Sequence, residues 1–241
     1  MMRSCRLIVL LALTLSALAA GAVSAAAGIV RPDGSWERLA HARERVMAGH
    51  AEALMPMIDR VMREADLTFL GLERIVATLG PGGFTGVRVG LAAARGFVLA
   101  TGAKGVGLSS LDAFAISARD LHGEDPVRPL AVAMDARRGM IFFALYAPGV
   151  RHVDPEMLTA EEAAGRLRGQ YHVLVGSGAG AVASHLQHGE AHTPAGDLEP
   201  EARLFAPLMA HAAPSAVLKP IYLRPPDAKA QASFVLPRAP A

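Results

Sequence analysis

The sequence predicts a layered α/β fold built as two related halves that join near residue 105. Three observations carry this expectation. Short apolar runs alternate with longer helical stretches along the 241 residues, the pattern of sheets covered by helices. A pair of runs that reads as a β-hairpin opens each half. Hydrophobic residues make up 52% of the chain but aromatics only 5%, so small aliphatic side chains fill the core, which suits helices packed on sheets better than an all-β sandwich.

The elements follow in order. "RLIVLLALTL" and "GAVSAAAGIV" are two apolar runs expected as strands, and Pro32-Asp33-Gly34 makes a turn before a third strand from about Trp36 to Val46. Gly49 and His50 open the helix "AEALMPMIDRVMREADL", in which Pro56 removes a backbone donor and favours a kink. "RIVATLG" is a short strand, followed by the glycine loop and a helix from about Val87 to Ala100. "GVGLSSLDAFAISARD" is a strand and then a helix that Ser109 or Ser110 caps. "PLAVAMDARRGMIFFALYAP" gives two strands around a polar turn near Arg137–Gly139, for which a structural role is expected. "YHVLVGSGAGAVASHL" is strand, glycine turn and helix, "EARLFAPLMAHAA" is a helix, and the Pro-rich end is irregular. The halves are expected as a lobe of residues 1–105 and a lobe of residues 106–241.

Composition removes several function classes. With 24 basic and 22 acidic residues the net charge is +2, and no Lys/Arg cluster forms a nucleic-acid footprint. The single cysteine, Cys5, excludes an internal disulfide framework and most cysteine-based metal sites. The nine histidines show no HExxH spacing. The first 25 residues have three readings, one of them a membrane span, which fits by length because no charge falls between Arg6 and Arg31. Arg3 and Arg6 before an apolar run, with "VSA" ending at Ala25, resemble an export signal; the same run also suits central strands of an α/β core.

Two glycine loops are candidate phosphate cradles. In "GPGGFTGVRVG", Gly80, Pro81, Gly82, Gly83 and Gly86 fail the GxxxxGK[ST] pattern, because Val87-Arg88 stands where Lys and a hydroxyl are needed. Thr85 occupies the third glycine position of GxGxxG. "GSGAGA" satisfies GxGxxA but has no clear acidic partner downstream. The glycines are expected to permit tight strand-to-helix turns.

The helical wheels are more informative. In the first helix Ala51, Leu54, Met55, Met57, Ile58, Val61, Met62 and Ala65 cover an arc of roughly 160°, wider than the roughly 100° stripe one core needs. In the second, Arg88 and Arg95 lie along nearly one line, while Gly90, Ala93, Ala94 and Phe97 contribute to an otherwise apolar or small-residue surface. Either this helix is central to one domain, or the two helices share a surface for two helices of a partner. The two arginines either pair with acidic groups on that partner or extend to solvent.

"GHAEALMPMIDRVMREADL", "GPGGFTGVRVGLAAARGFVLATGAKGVGLSSLDAFA", "AMDARRGMIFFALY" and "IYLRPPDAKA" resemble successive motifs of the bacterial TsaB family. The resemblance implies the actin-like ATPase superfamily fold, with two ribonuclease-H-like lobes. It also implies a non-catalytic subunit that pairs with a TsaD-like catalytic chain and, with a TsaE-like ATPase, modifies the tRNA adenosine next to the anticodon to threonylcarbamoyladenosine. The implied partner interface comprises Leu54, Met55, Ile58, Met62, Arg88, Gly90, Ala93, Ala94, Arg95 and Phe97; self-association in the partner's absence is a further expectation. The HxxxH metal ligands of TsaD fall on Ser110 and Phe114, so neither metal nor cofactor is expected, and the location expected is the cytoplasm. The chain departs from the family at its first hairpin, which has no carboxylate before Asp33. Competing readings are an independent phosphotransferase or metallopeptidase of the superfamily, and an exported protein of unknown role.

Overall fold

Two five-stranded sheets with the same strand order organise the chain. The structure is a computed structural model, and it describes residues 8–15, 22–45, 49–121, 128–147, 150–170, 172–193, 198–215 and 217–223. The first sheet contains β1 (Ile8–Leu15), β2 (Ala22–Val30), β3 (Trp36–Arg45), β4 (Arg74–Thr78) and β5 (Lys104–Leu108) in the order β3-β2-β1-β4-β5. β1 runs antiparallel to β2 and parallel to β4, so it is the middle strand. The second sheet contains β6 (Leu130–Asp135), β7 (Met140–Ala147), β8 (Val150–Thr159), β9 (His172–Val175) and β10 (Ala191–His192). Its order is β8-β7-β6-β9-β10, again with two antiparallel and two parallel pairings. This repeated topology is the ribonuclease-H-like lobe of the actin-like ATPase fold. Strand β5 runs across the expected 105/106 boundary.

Period-two alternation sorts the first sheet's side chains onto two faces. Val23, Ala25 and Ala27 of β2, with Ile75 and Ala77 of β4, meet α1 (His50–Glu64) and α2 (Phe84–Thr101) on one face. Ala26, Val30, Val76, Val106 and Leu108 face α6 (Ala202–Met209) on the other. Helix α3 (Ser110–Leu121) lies between the sheets. Its Ala113 joins the core around α6, while Leu111, Phe114, Ala115 and Ala118 pack on Val132, Met134, Phe142 and Val175 of the second sheet. The far face of that sheet carries α4 (Ala160–Gly165) and α5 (Ala179–Ala183).

Local chemistry sets the helix starts. Ser109 caps α3: Asp112 N donates to its Oγ at 3.0 Å, and Ser109 N donates to Asp112 Oδ2 at 3.4 Å. Asp112 Oδ1 also accepts from the Tyr146 hydroxyl at 2.9 Å, which ties α3 to β7. Helix α1 continues through Pro56. The hairpin between β6 and β7 has three consecutive residues at positive φ, Arg137, Arg138 and Gly139, and Asp135 Oδ1 accepts from Arg137 N at 2.7 Å. Four elements extend the sequence reading: the 3-10 turn Phe69–Gly71, β8, α4 and the two-residue β10.

The run with the export-signal pattern supplies β1 and the start of β2, while residues 1–7, Cys5 among them, and 16–21 lie outside the described set. Among the described residues no helix is long and apolar enough to cross a membrane.

Candidate functional site

The glycine loop leaves β4 at Leu79 and enters α2 through Gly83. Gly80 has φ +96 and its carbonyl accepts from Ser110 N at 2.7 Å; a Cβ there would lie 2.9 Å from the Ile221 carbonyl. Pro81 and Gly86 are buried, and Gly82 sits on Val87, its missing Cβ 3.3 Å from Val87 Cγ2. The second loop behaves alike. Gly176 has φ +104 and leaves 2.4 Å between a hypothetical Cβ and the Ala133 carbonyl, and Ser177 Oγ accepts from Asp135 N at 3.0 Å. In both loops close backbone approach accounts for the first glycine, Gly80 and Gly176.

The ten residues expected at an interface divide by burial. Leu54 and Ile58 are fully buried, Met62 is 1% exposed and Ala94 is fully buried. These four are core residues, and the interface expectation fails for them. The wheel counted a surplus because it assumed one neighbour. Helix α1 rests on β2 and β3 and also against α2, so its wide apolar arc is covered from two directions by its own chain. Gly90, Ala93 and Phe97 are partly covered, with the Phe97 ring stacked on Phe69 at 5.2 Å. Met55, Arg88 and Arg95 remain exposed.

A different row of α2 faces outward. Phe84, Arg88, Ala92, Arg95 and Leu99 fall on one line at helical spacing, and all five are exposed, Leu99 by 88%. Thr85 and Gly96 flank them. Leu70, in the 3-10 turn Phe69–Gly71 that touches α2, is 82% exposed. Helix α2 begins at Phe84, ahead of the expected Val87, and the 84-88-92-95-99 spacing marks the row in the sequence.

The C-terminal segment borders this row. Leu218 is buried beside Gly105, Ser215 N donates to the Gly105 carbonyl at 2.9 Å, and Gly107 N donates to Ser215 Oγ at 3.0 Å. The segment therefore covers the outer edge of β5. Ile221 N donates to the Leu79 carbonyl at 2.7 Å. Arg95 donates to the Leu218 carbonyl through Nε at 2.9 Å and through Nη2. Arg88 Nε donates to the Tyr222 hydroxyl at 3.2 Å, its Cζ lies 3.6 Å from the Phe84 ring centre, and the Phe84 and Tyr222 rings are 5.6 Å apart. Arg224 and the rest of the Pro-rich tail are outside the described residues.

Comparison with known proteins adds family relationships. The chain is 32% identical over 104 residues to the tRNA threonylcarbamoyladenosine biosynthesis protein TsaB of Haemophilus influenzae, covering 43% of each chain. It is 32% identical over 97 residues to TsaB of Escherichia coli, covering 40% of this chain and 41% of that one. The alignments thus span less than half the length of these relatives. The solved structure of YeaZ from Pseudomonas aeruginosa superposes with a TM-score of 0.73 at 25% identity, over 90% of this chain and 100% of that one. Residues 44–171, more than half of the chain, match the model described as TsaD: tRNA N6-adenosine threonylcarbamoyltransferase. The chain is a homologue of the TsaB proteins and belongs to the TsaD family that this model describes.

Proposed function

We propose that this chain is a non-catalytic subunit of the machinery that makes threonylcarbamoyladenosine in tRNA, and that it docks a TsaD-like catalytic chain through the outward row of α2. The names of its TsaB relatives support the pathway. One observation carries the docking: Leu99, at 88% exposure, stands in line with Ala92 and one turn from the exposed Gly96. A large aliphatic on an uncovered helix face, next to small residues that admit a second backbone, suits helix-on-helix association.

The non-catalytic reading is supported by α3. Phe114, at a position where the TsaD resemblance calls for a metal-binding histidine, is 2% exposed and packed in the second core. An apolar ring there offers no lone pair to a metal. A TsaE-like ATPase and tRNA are the further partners of the proposed assembly, and the cytoplasm is its proposed location. Without the partner, a second copy is the proposed occupant of the same face.

Co-expression with the TsaD-like chain of the same organism tests the proposal. Co-elution as a heterodimer on size exclusion, with threonylcarbamoyl transfer only when both chains are present, is the expected result. Separate elution of two folded chains overturns it.

A further inference from the structure

The two arginines of the α2 row are not equivalent. Arg95 is spent within the chain, two of its nitrogens converging on the Leu218 carbonyl. Arg88 is held but not spent. Its guanidinium sits over the Phe84 ring, and Nε alone is occupied, by the Tyr222 hydroxyl. Neither Nη1 nor Nη2 makes a hydrogen bond among the described residues. Phe84 and Tyr222 are themselves 45% and 44% exposed, so this trio stands at the surface with an open, oriented fork of N–H donors.

An exposed arginine normally samples many rotamers, and fixing one costs entropy. Here the aromatic stack and the tyrosine oxygen meet that cost before any ligand arrives. Two parallel donors match the two oxygens of a carboxylate. The surroundings choose between acceptors. A nucleic-acid backbone calls for several cations along a track, whereas this row carries one available cation among Phe84, Ala92 and Leu99. A single charged fork at the end of an apolar face fits a protein that brings one acidic side chain.

We infer that Arg88, oriented by Phe84 and Tyr222, is the charged anchor of the α2 face and takes a carboxylate of the docking partner in bidentate fashion. The inference rests on the docking reading above. It makes the C-terminal segment part of the face, since Tyr222 sets the direction of the fork, and it gives Arg88 and Arg95 separate duties: recognition for one, fastening the segment for the other.

The test is the affinity of the purified chain for the TsaD-like chain of the same organism, with each variant first shown to melt as the wild type does. Arg88→Lys keeps the charge and removes the planar fork; it is expected to weaken binding by about 10-fold. Tyr222→Phe keeps the ring and removes the acceptor; it is expected to weaken binding by about 3-fold, and the double variant to bind no more weakly than Arg88→Lys alone. Wild-type affinity in Arg88→Lys overturns the inference, as does an effect of that substitution on tRNA binding with none on the partner. Leu99→Glu separates the two levels. If it abolishes binding while Arg88→Lys does not weaken it, the anchor is wrong and the docking face stands. If Leu99→Glu binds as the wild type, the docking face is wrong and the anchor falls with it.

Discussion

Arg95 and Leu218 join the outward side of α2 to the C-terminal segment, the Nε of one lying 2.9 Å from the carbonyl oxygen of the other. The bond is charge-assisted, and the Leu218 side chain beneath it is buried. Arg95→Met keeps the aliphatic stem and loses the donors. We expect a loss of about 1 kcal/mol in global stability. Faster amide exchange confined to Leu218–Leu223 checks that the segment has come loose.

Two leucines on neighbouring helices should respond oppositely. Leu54 of α1 is fully buried, and Leu54→Ala is expected to cost about 2–5 kcal/mol in urea denaturation. Leu99 of α2 is 88% exposed, and Leu99→Ser is expected to stay within about 0.5 kcal/mol of the wild type. Equal losses would place both side chains in the core.

Stability should fall on acidification partly through His172. Burial lowers the pKa of this imidazole below its ordinary 6.5, opposed by the bond between its Nδ1 and the Gln170 carbonyl. The unfolded chain therefore takes up a proton that the folded chain refuses. The neutral ring's contribution is complete above pH 6.5 and is lost as pH falls below it. His41 is shifted the same way, by burial and then by Arg38 and Arg203. Replacing His172 with Gln should reduce, without removing, the difference in unfolding midpoint between about pH 7.5 and about pH 5.

Deleting residues 1–21 removes β1, the strand on which both β2 and β4 pair. No cooperative melting transition is expected for the shortened chain, because the antiparallel and parallel parts of the sheet lose their common neighbour. A sharp melt with native-like circular dichroism would count against a central role for this run.

Much of this was legible in the sequence, and the exceptions have physical causes. Strands β1, β2, β4, β6 and β9 are continuous apolar runs because helices cover both faces of their sheets. The stretch 148–171 was harder to read. β8 is an edge strand that tolerates Pro155 and charged residues, and α4 has only six residues to show a period. At the site, a wheel reports how many apolar side chains a helix carries but not how many neighbours it has. Leu54, Ile58 and Met62 were assigned outward for that reason. The fastening of Arg95 depends on a backbone carbonyl at Leu218, which no side-chain pattern encodes.

The placement of α6 on β1 and β2, and of Ser215 on the edge of β5, has a consequence for biosynthesis. The first sheet is closed by segments that follow the second sheet in the chain. A nascent chain stalled near residue 190 holds that sheet with one apolar face lacking α6 and the outer rim of β5 unpaired. The first sheet thus reaches its finished form only after the whole second sheet has been made.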